Sequence, residues 1–375
     1  MRIGYDAKRF FNNKSGLGNY SRSLIKSILQ QQKDIKVYLY TPNINEAIDT
    51  QFIENKSQVI IKSSTKKQKW FWRSFGIYND INNDSISIYH GLSNELPFTI
   101  KKANCKSVVT IHDVIFKKYP KTYSFINRKI YDYKTKKSCQ NANLIIAISE
   151  NTKKDLVHYY DINPEKIKVV YNSCNDIYLQ IQAKEQVIKT ISKLKLPQEY
   201  LLFVSTIEPR KNIELIIKAM ALLPISIPLV IVGKEKKHKQ ELIKLITDLN
   251  LKNNIIWLHN ISSSEELQAI YQAASIFIYP SMYEGFGLPI IEAALCKIPI
   301  LASNSSSLPE AGGKNVLYFN PENENELATC IEHVLEMPLD LKNDMIISNY
   351  NYALEHFSPS KHGQAMLMLY NNLIK

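Results

Sequence analysis

Two carboxylates with seven residues between them flank a glycine loop in Glu284-Gly285-Phe286-Gly287-Leu288-Pro289-Ile290-Ile291-Glu292. The apolar run Ala274 to Tyr279 just before it reads as a buried strand. Gly285 and Gly287 let the backbone turn and approach a ligand closely. Pro289 suits the first turn of a helix that runs to Lys297, before Pro299 stops it. Strand, glycine loop and helix start are the parts of an anion site, with N–H groups aimed at phosphate. Acids beside such a site must hold something other than the anion, and sugar hydroxyls can donate to a carboxylate. Taken alone, a capping loop with two solvated acids fits equally well.

A second constellation is Thr206-Ile207-Glu208-Pro209-Arg210-Lys211-Asn212, between a predicted strand Tyr200 to Ser205 and a helix Ile213 to Leu223. Arginine can grip two phosphate oxygens in a fork and lysine adds a compact charge, although adjacent cations are often only solvated. Near the start, Ser15-Gly16-Leu17-Gly18-Asn19 lies in a loop Phe10 to Tyr20 after the strand Arg2 to Asp6. Asn19 or Ser21 would cap a helix with Leu24, Ile25, Ile28 and Leu29 on one face. The third glycine of the dinucleotide fingerprint is missing, and no acid follows the next strand at the usual distance, which argues against a nicotinamide dehydrogenase. Two further strands, Ile86 to His90 and Ser107 to His112, end in histidine, where doubly wound sheets bind ligands. Asp113 reads better as an orienting group than as a base.

The elements between these residues alternate. Strands are expected at Ile35 to Tyr40, Leu144 to Ile148, Ile167 to Tyr171, Pro228 to Val232, Ile255 to Leu258, Ile298 to Ser303 and Val316 to Phe319. Ser149 caps one helix, Ser262 to Ser264 cap another ending at Ala274, and a last helix spans Pro359 to Leu373. Alternation implies α/β architecture with parallel sheets and right-handed crossovers. The predicted division is a first domain at 1–172, a linker region at 173–196, a second domain at 197–356 and a closing helix at 357–375. Two such domains would hold a ligand in the cleft between them.

A chain of 375 residues, 45% of them hydrophobic, suits two soluble domains. No apolar run approaches a membrane span and Met1 leads straight into a strand, so no signal peptide is expected. The five cysteines are scattered and odd in number, and read as reduced residues of a cytoplasmic protein. Of the formal charge of +12, eleven Lys or Arg lie between Lys101 and Lys137, against Asp113 and Asp132 alone. Phe116, Tyr119, Tyr123, Phe125, Tyr131 and Tyr133 are interleaved with them. Such a face suits an anionic membrane surface, a simple solvated face or, less well, nucleic acid, for which no binding signature is present.

The Glu284 to Glu292 motif, the Glu208 to Asn212 motif, Thr110-Ile111-His112-Asp113-Val114 and His90-Gly91-Leu92-Ser93-Asn94 together resemble retaining glycosyltransferases of family four, of the GT-B fold. The resemblance covers nearly the whole chain and implies two Rossmann-like domains facing across a cleft. It implies that Arg210 and Lys211 hold the donor phosphates, that Glu284 and His112 meet the transferred sugar, and that Glu292 holds the ribose. Gly16, Gly18, Gly233, Asn260, Gly285, Phe286, Gly287 and Leu288 become donor-binding candidates, with the backbone from His259 to Ile261 against the base. His90 and Trp70 become acceptor-side candidates, Trp70 and Trp72 also being readable as buried helix aromatics. The donor is then a nucleotide sugar, with GDP-mannose ahead of UDP- and dTDP-sugars, and the acceptor a lipid-linked surface glycan of the lipopolysaccharide or capsule kind. No cofactor or metal is expected.

Overall fold

The computed structural model describes every residue except 46, 47, 49, 55, 65–70 and 262. The chain forms two compact units, one of Met1–Ser173 with Pro359–Lys375 and one of Cys174–Ser358. The first is built on β1 (Arg2–Asp6), β2 (Lys36–Thr41), β3 (Val59–Ser63), β4 (Ile88–Gly91), β5 (Lys106–Ile111), β6 (Leu144–Ala147) and β7 (Ile167–Val169). They pair in parallel in the order β3-β2-β1-β4-β5-β6-β7. The second holds β8 (Leu201–Val204), β9 (Leu229–Val232), β10 (Ile255–Leu258), β11 (Ile276–Tyr279), β12 (Ile300–Ser303) and β13 (Leu317–Phe319), also parallel, as β10-β9-β8-β11-β12-β13. Both sheets are Rossmann-like. Strand order reverses between β1 and β4 in one, and between β8 and β11 in the other, which is where such sheets open a crevice for ligand.

The central strands are apolar because helices cover both their faces: β4, β6, β9, β11 and β12 are buried along their whole length. Edge strand β3 is only half buried, and its short Val-Ile-Ile-Lys-Ser run was not among the expected strands. The region expected as a linker plus a short helix lies, from Cys174 on, inside the second unit, as a 3₁₀ turn Asp176–Leu179 and a helix Lys184–Lys193. The Gln182 amide side chain there donates to Gln268 Oε1 (2.9 Å). The last helix, Pro359–Ile374, belongs to the first unit, where Met366, Leu367 and Tyr370 join Leu24, Ile25 and Ile28 in one apolar layer.

Within the first unit, polar side chains are stitched through this core. His90 is fully buried, with Nδ1 against the Tyr370 hydroxyl (2.6 Å) and Nε2 against Thr110 Oγ1 (2.8 Å). His112 Nε2 donates to the Leu92 carbonyl (2.8 Å), and His362 Nδ1 meets Ser173 Oγ (3.2 Å). Burial lowers the three imidazoles to about 3, 4 and 4 respectively, so all are neutral near pH 7. An unfolded chain binds protons on these histidines from about pH 6.5 downward, while the folded unit refuses them until about pH 4. Acidification through that window therefore removes stability from the first unit, partly offset by Asp155, whose carboxyl burial raises to about 6. Hydrogen exchange at pH 7 and pH 5, corrected for intrinsic rates, should show the first unit losing more protection than the second. Equal losses would contradict the neutral histidines.

Candidate active site

The reversal point of the second sheet explains which loops meet. Strands β8 and β11 are neighbours, so the loops at their carboxyl ends, carrying Arg210-Lys211 and Pro280 to Gly287, leave the sheet side by side. Backbone bonds fuse them: Met282 N–H donates to the Arg210 carbonyl (2.9 Å). Asn212, in the left-handed region at φ 58°, donates from Nδ2 to the carbonyls of Pro280 (3.2 Å) and Pro321 (2.7 Å). Asparagine tolerates that backbone better than most residues. It is the residue of the motif whose role the sequence left unread.

Glu284, 8% exposed, is the centre of the group. Its Oε1 accepts from Lys211 Nζ (2.5 Å), the Tyr279 hydroxyl (3.1 Å) and the Ser281 hydroxyl, and pairs with Arg210 Nη1 at 3.0 Å. Burial alone would raise this carboxyl, but the two cations outweigh it and hold it down at about 2. Burial lowers the Lys211 ammonium, against the pull of Glu284. Glu208 lies 3.7 Å from Arg210 Nη2 and also pairs with Lys236. A diphosphate entering here would meet cations already placed, with no reorganisation needed to face its charge.

Serines behind the glycine loop fix its course. Ser306 Oγ accepts from the Glu284 amide (2.9 Å), while Ser307 Oγ donates to the carbonyls of Glu284 (3.0 Å) and Phe286 (2.7 Å). The Phe286 ring packs edge-on against Phe357 at 5.4 Å. Gly287 caps the helix Leu288–Leu295 at φ 133°, and a Cβ there would meet Leu308 Cδ2 at 2.9 Å. Gly287→Ala should therefore both strain the turn and displace the helix start, costing at least tenfold in any phosphate affinity of this loop. Nucleotide titration of the variant checks this, and unchanged affinity would separate the turn from binding. One helical turn on, half-buried Glu292 accepts from the Tyr271 hydroxyl at 3.0 Å. Burial raises it to about 7, against that hydrogen bond. Among the described residues no group of His, Cys, Asp and Glu gathers as metal ligands would.

Family profiles match both halves of the chain: Glycosyltransferase Family 4 over residues 14–176 and Glycosyl transferases group 1 over residues 184–352. The chain is a GT-B glycosyltransferase. Bacterial mannosyltransferases are among its relatives. It is 27% identical over 350 residues to O-antigen chain mannosyltransferase B of Escherichia coli, covering 86% of each chain. To O-antigen chain mannosyltransferase RfbU of Salmonella typhimurium it is 31% identical over 230 residues, 61% of each chain, so under two thirds of that relative is spanned. A crystal structure of a glycosyltransferase from Rickettsia africae superposes at TM-score 0.77 with 20% identity, covering 100% of this chain and 98% of that one.

The glycosyltransferase places its other sequence candidates less uniformly. Gly16 and Gly18 do not form a loop. The helix begins at Gly16, earlier than Asn19 or Ser21, because Asn13 Oδ1 accepts from the amides of Ser15 (2.8 Å) and Gly18 (3.3 Å). Gly233 lies where a Cβ would fall 1.8 Å from the Ser205 carbonyl, so close strand-end packing by itself demands glycine there. Asn260 is exposed just beyond β10, and Leu288 opens the helix after Gly287. In the first unit, His112 sits at the end of β5 with Nε2 as the donor nitrogen. Asp113 Oδ1 accepts from the Ile115 amide (3.1 Å), a local backbone role. His90 is enclosed by the transferase's core with both ring nitrogens occupied, so it presents neither to an acceptor. Trp70 lies outside the described residues. Its neighbour Trp72 is buried, and donates from Nε1 to Asp80 (2.6 Å). Tyr279 and Ser281, which hold Glu284, and Tyr271, which holds Glu292, carried no signal in the sequence. Ser306 and Ser307, which hold the glycine loop, lie in the stretch Ser305 to Glu310, which resembles the family loop beside the phosphates.

Proposed function

We propose that the enzyme moves a hexose from a nucleoside-diphosphate sugar, with GDP-mannose the favoured donor, to a growing surface glycan such as O-antigen or capsule. The observation carrying this is the grouping of Arg210, Lys211 and Glu284 at the reversal point of the second sheet. In this reading the two cations take charge that builds on the departing diphosphate as the glycosidic bond stretches, helped by the helix start at Leu288. Glu284 receives hydroxyls of the transferred sugar, and Glu292 those of the ribose. Neutral His112, donating through Nε2, keeps the Nδ1 lone pair for a sugar hydroxyl. Retention of configuration fits same-face attack, in which a phosphate oxygen helps deprotonate the acceptor. The O-antigen mannosyltransferases among its relatives support both donor and acceptor.

Calorimetric titration with GDP, UDP, dTDP and ADP, with and without Mg²⁺, tests the reading. Metal-insensitive selection of GDP supports it. Selection of UDP or dTDP moves the donor, binding without transfer leaves a sensor, and no binding at all overturns the site. Because a protonated Glu292 offers ribose hydroxyls fewer and weaker acceptor sites than the carboxylate does, affinity should rise with pH through about 7. The Glu292→Gln variant should lose that dependence.

The first unit also carries a surface suited to an anionic bilayer. On the helix Phe125–Asn141, Phe125 (65%), Ile126 (70%), Ile130 and Tyr133 are exposed beside Lys129 and Lys136. Apolar side chains and lysines on one face suit lipid tails and anionic headgroups. Among the described residues no helix is long and apolar enough to cross a membrane. Sedimentation with phosphatidylglycerol vesicles, lost on Phe125→Ser with Ile126→Ser, would support docking there. Equal binding by the variant would remove it.

A further inference from the structure

Resting on the donor-site reading above, we infer that Tyr279 is a positioning residue that locks Lys211 and Glu284 into one unit. Its hydroxyl accepts from Lys211 Nζ (2.9 Å) and donates to Glu284 Oε1 (3.1 Å), while Lys211 Nζ itself reaches that same oxygen (2.5 Å). Three hydrogen bonds thus close a ring among three buried residues.

The phenol has no freedom to leave this ring. Tyr279 ends β11, is 1% exposed, and lies over Phe277 two residues earlier on the same strand face (5.8 Å between centroids, planes at 21°). Phe203 of the neighbouring strand β8 flanks it at 6.4 Å. In this aromatic row a phenylalanine would fill the same volume, so packing does not call for the hydroxyl. The hydroxyl bonds both members of the ion pair, with Ser205 also beside it. Burial also pushes the phenol well above its ordinary range, so it stays protonated and donates to Glu284 at any working pH.

The consequence for chemistry lies in how the lysine protons are shared. An ammonium has three. The phenol oxygen and Glu284 Oε1 fix the directions of two, which aims the third. Without the hydroxyl, Nζ can rotate about a single remaining bond, and the cation is no longer fixed before the leaving group develops its charge. The groups that set the Lys211 charge are Glu284, Arg210, Glu208 and Tyr279. Of these, Tyr279→Phe changes only the last.

The experiment compares wild type, Tyr279→Phe, Lys211→Ala and the double variant in donor binding and in transfer. Wild type must first bind a nucleotide and turn over, and failure there sinks the donor-site reading rather than the role of Tyr279. Given that, Tyr279→Phe should keep its melting temperature and nucleotide affinity within a few-fold. It should lose about ten- to hundredfold in kcat, the scale of one hydrogen bond to a charged group. The alkaline limb of its pH–rate profile should move to lower pH, because the ammonium has lost an acceptor. In the Lys211→Ala background the same change should cost almost nothing more. Wild-type kcat with an unmoved alkaline limb, or a full loss that persists without Lys211, would overturn the inference.

Discussion

Arg210→Ala is expected to lower the transfer rate about 10²–10³-fold, the usual cost of removing one preorganised charge-stabilising group, while the protein stays folded. Arginine is the better test of the cation pair because its loss leaves the buried group intact. Glu284 Oε1 would keep Lys211, Ser281 and Tyr279 as donors. What disappears is a guanidinium whose Nη1 is pinned by the Tyr283 carbonyl and by Glu284, held in a fixed direction before any ligand arrives. Lys211→Ala should cost as much in rate but also some stability, since it opens a hole beside a carboxylate. Turnover near wild type in folded Arg210→Ala would show that the leaving group is stabilised elsewhere.

The second large effect is on stability. Glu284→Ala leaves the Lys211 ammonium and the Arg210 guanidinium side by side, with side chains only 9% and 10% exposed. Removing one member of a buried ion group typically costs about 3–5 kcal/mol, because the uncompensated charge stays behind. Urea unfolding followed through the single second-unit tryptophan, Trp257, should register that loss. Adding Lys211→Met should restore a large share of it, since an apolar side chain of similar length replaces the stranded charge. Activity should not return in the double variant. If Glu284→Ala unfolds at the wild-type urea concentration, the ion group is not holding the two loops together.

Much of this was readable from residue order because the second unit concentrates its signals in short windows. Strand β10 runs from Ile255 to Leu258 as its apolar run suggested, and Pro289 marks the helix start at Leu288 within a residue. Arg210, Lys211 and Glu284 could be picked out because the motifs around them are dense. What one-dimensional order cannot give is adjacency. That Lys211 and its neighbour Arg210 share a carboxylate 73 residues beyond the lysine follows only from β8 pairing with β11. Tyr279 was invisible for a related reason: in a strand it reads as one more aromatic of the core, and only its hydroxyl's neighbours distinguish it. His90 misled in the opposite direction. A histidine near a strand end looked available, but Tyr370 and Thr110 had already taken both nitrogens. Gly16 and Gly18 looked like a loop because Asn13, which starts the helix early, is three residues before the first of them.

The path of the backbone also dictates when each part can mature on the ribosome. The first unit takes its closing helix, Pro359–Ile374, from beyond the whole of the second unit. A nascent chain that has emerged as far as Ser173 holds the entire first sheet yet lacks Met366, Leu367 and Tyr370 from its apolar layer, and lacks the phenol that His90 Nδ1 needs. The second unit is contiguous, so it can finish while the earlier-made one still waits with open apolar surface, the state in which chaperones engage and aggregation begins. Clipping or obstructing the last seventeen residues would therefore injure the amino-terminal half of the protein, at a distance in sequence that a linear map of domains would not suggest.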